Sequence, residues 1–381
     1  MILPPATLGM LGGGQLGRFF VSAAHEMGYK VWVLDPDPHS PAGLIADRHL
    51  VATYDDPEAL DDMAAHCAAV STEFENVPAA TLERLARRLP VRPAAQAVAV
   101  CQNRMDEKRF LADNGLPHGP LAFIHAEEDI LRADAALYPA VLKVARFGYD
   151  GKGQARVANT GEALQAFRDF RGEPCVLERM LTLDCELSVV LARSEDGEVR
   201  SFPVVENQHR KGILDVSIAP ARVSDTLQAQ AREVAARIAA HLGYVGTLAV
   251  EFFVSDGRLY VNEMAPRPHN SGHHTLDACV SSQYDQQVRA LTGLPLGETG
   301  QHSAAVMVNL LGDLWFDGEH YREPDWAVLH AVPGLRLHLY GKHEARPGRK
   351  MGHFTVIGDD AGTVLARALL ARAAIGIRDD A

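Results

Sequence analysis

Residues 7–89 alternate short apolar runs with segments of helical periodicity, and this alternation constrains the fold more than any other feature of the chain. Thr7 to Gly9, Lys30 to Asp35 and Ala68 to Phe74 read as strands, and Gln15 to Met27, Pro57 to Ala65 and Pro78 to Leu89 read as helices. Strands separated by helices of that length run parallel, because parallel neighbours need a crossover and a tight turn cannot supply one. The expected fold class is α/β, opening on a parallel, Rossmann-like sheet.

Another helix, Asn103 to Asn114, stops at Asn114-Gly115 with Pro117 just beyond, the first candidate boundary. A smaller unit follows, with the strand Ala140 to Val144, a glycine-rich loop at 148–153, the helix Gly161 to Phe170 and the strand Cys175 to Met180. From Glu186 the pattern turns to β. Glu186 to Arg193 and Val199 to Val205 flank S-E-D-G-E as a hairpin, a helix spans Ser224 to Leu242, and Thr247 to Val254 meets Leu259 to Met264 through S-D-G-R. The stretch Trp326 to Ile357 reads as a small β unit supplying loops to a site. The expected division is 1–115, 116–182 and 183–381, a length suited to several cores.

Charge narrows the partners. With 49 acidic against 37 basic residues, the formal charge is −12, which argues against nucleic acid or an anionic membrane surface. A small phosphorylated ligand needs only a few basic groups in one cleft. The chain has no run of eighteen apolar residues, so no membrane span is expected. Met1 to Gly14 lacks the Lys or Arg of a secretory leader, and five scattered cysteines without a C-x-x-C pair fit a reducing compartment. The expected location is the cytoplasm.

Five segments carry chemistry. G-G-G-Q-L-G at 12–17 lies between a strand and a helix, with Asp35 closing the next strand. Backbone amides at a helix N-terminus bind phosphate of any kind, so this is an anion site first; a dinucleotide fingerprint and a plain tight turn remain alternatives. R-F-G-Y-D-G-K-G-Q at 146–154 sits between two strands and opens no helix, which excludes a Walker A loop. It suits a flap over phosphates, with Lys143 of the apolar strand A-V-L-K-V as a nearby charge that would be costly to bury unpaired.

Glu251 and Glu263 interrupt the two apolar strands of the hairpin. A two-residue turn at Asp256-Gly257 would place them on opposite faces; a three-residue loop with a bulge would place both on one face, where a magnesium ion could neutralise them. A-P-R-P-H-N-S-G-H-H, 265–274, follows directly as a rigid basic loop, better suited to anions than to zinc. A-R-P-G-R-K-M-G-H, 345–353, offers a second basic clamp for phosphate or carboxylate.

Taken in order, G-G-G-Q-L-G-R (12–18), S-T-E-F-E-N-V-P (71–78), F-G-Y-D-G-K-G-Q (147–154), V-V-E-N-Q-H-R-K-G-I-L-D-V-S-I-A-P-A (204–221), N-E-M-A-P-R-P-H-N-S-G-H-H-T (262–275) and G-R-K-M-G-H (348–353) resemble the ATP-grasp ligases. Within that class they are similar to the N5-carboxyaminoimidazole ribonucleotide synthetases. The resemblance implies three domains, with ATP held between the second and third. It implies carboxylation of 5-aminoimidazole ribonucleotide by bicarbonate through carboxyphosphate, with ATP and Mg²⁺ as cofactors and a homodimer as the assembly.

The residue roles follow from the same resemblance. Arg104 and Lys143 would contact the ATP phosphates, and Gly148, Tyr149, Asp150, Gly151, Lys152, Gly153 and Gln154 would close over them. Glu178 and Leu181 would border the adenine, Glu186 would take the ribose hydroxyls and His209 would lie near the nucleotide. Glu251 and Glu263 would hold Mg²⁺ with Asn262 beside them, while Arg267, His269 and Lys350 would bind bicarbonate and steady carboxyphosphate. Gln15, Leu16, Glu73, Asp150, Ser271 and Arg349 would hold the ribonucleotide, with the first glycine turn at its 5′-phosphate. The rival readings are an NAD-dependent dehydrogenase, an ATP-grasp ligase with another acceptor, and a non-catalytic nucleotide-binding module.

Overall fold

A computed structural model describes residues 1–146 and 153–377. The flap residues Gly148, Tyr149, Asp150, Gly151 and Lys152 lie outside the described residues, so the roles expected of them are not addressed below.

The N-terminal sheet has four strands in the order Arg48–Leu50, Lys30–Leu34, Thr7–Leu11, Ala69–Thr72, all parallel. The central strand is buried along almost its whole length, as expected of a sheet covered on both faces. Leu8, Met10, Val31 and Val33 pack against Phe20 and Ala24 of the helix Gln15–Glu26. The helix Arg104–Asp113 is capped by Asn103, whose side chain accepts from the Met105 amide at 2.9 Å. It ends at Asn114, with Gly115 at φ +60°.

A second sheet is antiparallel, in the order Leu121–Ile124, Cys175–Arg179, Ala140–Val144, Gln154–Val157. Helices Glu127–Arg132 and Thr160–Asp169 cover it through Ile130, Ala163 and Phe167.

Among the described residues the third sheet has nine antiparallel strands. Its path runs Arg258–Ala265, Gly246–Ser255, Cys185–Arg193, Val205–Arg210, Ile213–Ala219, Ala304–Leu311, Lys350–Gly358, Leu335–Leu339, and Val199–Ser201 pairs with Cys185–Arg193 as the expected hairpin. The stretch 326–357 therefore forms no sheet of its own. Phe354 and Val356 pack with Val306, Val308 and the C-terminal helix Ala361–Ala374, and this shared core draws its strands onto the large sheet.

Candidate active site

A cleft of about 490 Å³ opens between the two antiparallel sheets. The large sheet contributes Glu186, His209, Glu251, Asn262, Glu263 and Lys350; the small sheet contributes Lys143 and Gln154. Arg104, at the start of its helix, and Arg267 and His269, on the loop after Glu263, also line it. Residues more than two hundred positions apart thus converge as the sequence reading expected. Glu75, Arg156, Lys211 and Phe253 also line the cleft, and that reading assigned them nothing. Glu75 lies inside the quoted S-T-E-F-E-N segment, and Lys211 forms a tight turn with Gly212, both at positive φ. An adjoining cleft of about 450 Å³, lined by Val141, Glu178, Met180, Leu181 and Leu183, extends the first.

The carboxylate pair faces itself for a reason the sequence reading did not foresee. The hairpin turn is the two-residue one, with Ser255 opposite Arg258 and both Asp256 and Gly257 at positive φ, +51° and +68°. Alone, that turn would set Glu251 and Glu263 on opposite faces. The register instead shifts within the strand: Phe252 pairs with Val261, but Glu251 pairs with Glu263, and Asn262 is left as the extra residue of a bulge. Residues directly opposite on antiparallel strands share a face.

Burial, together with the like charges of Glu263 and Glu186, pushes the Glu251 carboxyl up to about 7 against the opposing pull of His209 and Lys350. Nearby, His209 Nδ1 lies 2.8 Å from Glu186 Oε2. Burial would lower the His209 pKa, but the contact with Glu186 and the field of Glu251 outweigh it and leave the imidazole above its usual value.

Lys143 is not an unpaired charge. Its Nζ lies 2.8 Å from Glu178 Oε2, and Lys108 Nζ lies 3.9 Å from Oε1 of the same carboxylate. Burial would raise the Glu178 pKa, yet Lys108, Lys143 and Arg104 together bring it down to about 2. Glu178, expected beside the adenine, lines the second cleft, and its carboxylate is engaged with lysines. Leu181 lines the apolar end of that cleft, alongside Met180 and Leu183.

The loop after Glu263 is less basic than its composition suggests. Arg267 is bound by Glu75 through two guanidinium nitrogens. Burial, then the charges of Arg267 and Lys350, hold His269 well below its ordinary pKa, so its ring is neutral. A buried chain of hydrogen bonds orients it. Ser217 donates to Asn207 at 2.8 Å, Asn207 to Ser188 at 3.0 Å, and Ser188 to Ser271 at 2.8 Å. The Ser271 hydroxyl lies 2.9 Å from His269 Nδ1, and the Ser271 amide donates to that nitrogen at 3.3 Å. Nδ1 is therefore the acceptor and Nε2 carries the proton, 3.3 Å from Glu251 Oε1.

Ser271 is a correction. Expected to hold the ribonucleotide, it is fully buried and spends its hydroxyl on Ser188 and His269. His273 and His274 are also fully buried, paired with Asn270 and Tyr284 and with the Ser271 carbonyl. Arg349 donates to the Glu344 carbonyl at 2.7 Å and does not line the cleft, whereas its neighbour Lys350 does.

The first glycine turn is the second correction. Its amides face carboxylates of the protein itself: Gly13 donates to Asp35 at 2.7 Å, Gly14 to Glu73, and Leu16 to the other Glu73 oxygen at 3.0 Å. A phosphate here would meet two buried carboxylates, so the turn does not form the phosphate cradle expected of it. Glycine at 14 leaves room for the Glu73 carboxylate: a Cβ there would lie 2.3 Å from Glu73 Oε1, so Glu73 would have to shift. The Leu16 side chain packs in the N-terminal core, and Gln15 opens the helix, half-buried.

A parallel sheet, a small antiparallel sheet and a large antiparallel sheet enclosing a cleft of opposed cations and carboxylates define an ATP-grasp protein, and residues 109–284 match the ATP-grasp domain family. Residues 5–102 match the ribonucleotide synthetase preATP-grasp domain, and residues 305–367 the phosphoribosylaminoimidazole carboxylase C-terminal domain. The chain belongs to the N5-carboxyaminoimidazole ribonucleotide synthase family: it is 44% identical to the Brucella melitensis member over 358 residues, 93% of this chain and 97% of that protein. It is 42% identical to the Bacillus subtilis member, covering 93% of this chain and 92% of that one. Among solved structures, the Thermus thermophilus synthetase superposes with a TM-score of 0.89 at 39% identity, covering 98% of this chain and 99% of that one. The Aspergillus clavatus synthase, in complex with ADP and 5-aminoimidazole ribonucleotide, superposes at 0.87 with 31% identity, covering 97% and 98%.

Proposed function

We propose that this protein is an ATP-dependent ligase that joins bicarbonate to the exocyclic amine of 5-aminoimidazole ribonucleotide, forming N5-carboxyaminoimidazole ribonucleotide, ADP and phosphate in purine biosynthesis. The observation that carries the reading is the in-register pair Glu251 and Glu263, facing Arg104, Lys143, Arg267 and Lys350 across one cleft. Two facing carboxylates, one pushed up to about 7, suit a hard divalent cation with oxygen ligands, and Mg²⁺ is that cation. Glu251 and Glu263 would hold it, with Asn262 beside them. Mg²⁺ would neutralise charge on the transferring phosphoryl group.

The chain's own residues supply the rest. Lys143 and Arg104 offset the ATP phosphate charge as fixed cations, already oriented by Glu178 and Glu263. Attack of bicarbonate on the γ-phosphorus releases ADP and leaves carboxyphosphate. Its carboxyl group then passes to the amine as phosphate departs. Arg267, His269 and Lys350 surround the position where that intermediate would lie, and the neutral His269 donates from Nε2 rather than adding charge. The apolar end of the second cleft, at Met180, Leu181 and Leu183, would take the adenine, and Glu186 the ribose. The ribonucleotide would enter past Glu73 and Gln15, its phosphate directed to the basic segment at Arg349 and Lys350.

The same reading makes the protein a cytoplasmic homodimer of three units, 1–115, 116–182 and 183–381, acting on small molecules. No helix among the described residues is long and apolar enough to cross a membrane. ADP release should require 5-aminoimidazole ribonucleotide and bicarbonate together and match the ribonucleotide consumed. ATP turnover that ignores the ribonucleotide would disprove the acceptor while leaving the ATP-grasp chemistry; neither binding nor turnover would disprove both.

A further inference from the structure

The bulge that brings the two carboxylates together has to be held. The extra residue of a bulge leaves backbone groups outside the strand ladder, and buried backbone groups need partners. The orphaned Asn262 carbonyl accepts from Lys108 Nζ at 2.7 Å. Two residues on, the Met264 amide donates to Glu107 Oε1 at 2.6 Å. Both partners come from one helix, Arg104–Asp113, and both are only 2% exposed. On the same helix Arg104 reaches Glu263, with Nη2 3.7 Å from Oε2. Positions 104, 107 and 108 share one helical face, so that face grips 262–264 at three points.

Neither Glu107 nor Lys108 is among the residues lining the cleft. A face needed only for packing would be apolar, because a buried lysine and a buried glutamate are costly unless their bonds serve a purpose. Here each bond lands on a backbone group flanking Glu263.

We propose that Glu107 and Lys108 are positioning residues: they hold the bulge at Asn262 and thereby keep Glu263 opposite Glu251. The inference rests on the reading of that pair as the magnesium site. Without the bulge the strand returns to a regular ladder, and a one-residue slip turns Glu263 to the other face of the sheet.

The test is Mn²⁺ binding followed by electron paramagnetic resonance in the presence of ADP, without turnover, beside the Mg²⁺ dependence of ADP release. The variants are Glu107→Leu, Glu107→Gln, Lys108→Met and Glu263→Gln, each checked for folding by circular dichroism. Glu107→Leu and Lys108→Met should each weaken Mn²⁺ binding about tenfold, the scale typical of groups that orient metal ligands. Glu107→Gln, whose amide oxygen still accepts from Met264, should stay within about twofold of the unaltered protein.

Folded Glu107→Leu and Lys108→Met proteins that bind Mn²⁺ normally, while Glu263→Gln does not, would overturn the clamp alone. Equal damage from Glu107→Gln and Glu107→Leu would also overturn it, because charge rather than the bond would then matter. Unchanged binding in Glu263→Gln would remove the metal reading and the clamp with it. If Glu107→Leu does not fold, Lys108→Met decides by the same criterion.

Discussion

Two carboxylate clusters in this chain, one at the N-terminal glycine turn and one in the cleft, meet the cost of their charge differently. At the N-terminal glycine turn, Asp35 and Glu73 are met by the amides of Gly13, Gly14 and Leu16. In the cleft, Glu251 and Glu263 face each other, and Glu251 is pushed up to about 7. The first cluster is closed: donors and acceptors balance within the chain, and the helix N-terminus that a phosphate would use is already occupied. The second is open, since its like charges call for a cation from outside. A glycine-rich turn marks a place where backbone amides converge, but only the identity of what faces them separates a ligand site from a structural cap.

Four measurements would break or sharpen this contrast. The largest effect should come from the open cluster: Glu263→Gln should slow ADP release by about 100-fold at saturating Mg²⁺, the scale of losing one electrostatic partner of the transition state. A rate near that of the unaltered enzyme would remove Glu263 from the metal site. The closed cluster should respond in stability instead. Gly14→Ala forces a methyl against Glu73 and should cost about 2 kcal/mol in urea unfolding, within the usual range for overpacking. An unchanged midpoint would show that Glu73 moves aside freely.

The third measurement is pH. Glu251 is raised in the folded protein, so the folded state binds the extra proton between its ordinary carboxylate value and about 7. Through that window the group's contribution to stability falls as pH rises, and Mg²⁺, which needs the ionised form, should bind more weakly as pH falls. The Mg²⁺ needed for half-maximal activity should rise by up to about tenfold per unit below pH 7, one proton being displaced. A requirement flat between pH 5.5 and about 7.5 would show that Glu251 is ionised without the metal.

The smallest effect should be Glu73→Gln. Both Glu73 oxygens accept from amides, so converting one to NH₂ sets donor against donor and should cost about 1 kcal/mol. Lost activity with an unchanged unfolding midpoint would instead move Glu73 from the cap to the substrate.

Much of this was legible in the sequence, for reasons visible in particular residues. The parallel opening followed from alternating strand and helix periods, and the strand Ala140–Val144 lies where A-V-L-K-V put it. The convergence of Lys143, Glu251, Glu263, Arg267 and Lys350 came from the resemblance, since no local pattern carries contacts across such separations. The sequence left the facing of Glu251 and Glu263 open between two turn geometries, because it depends on a bulge within the strand whose supports lie about 150 residues earlier in a helix. The partners of Ser271 and Lys143 were not legible for one common reason: sequence shows that a polar group is present but not which neighbour has already engaged it.

The nine-stranded sheet has a mechanical corollary. Glu263, Glu251, Glu186, His209 and Lys350 are rivets on five strands of one plate, which continues to the strands packed under the C-terminal helix. Their mutual spacing is therefore set by backbone ladders rather than by the swing of one body against another. Whatever motion admits ATP must be borne by the opposite jaw, the small sheet that carries Lys143 and Gln154. Hydrogen exchange should then register the plate as one slow cooperative unit and the jaw as a faster one.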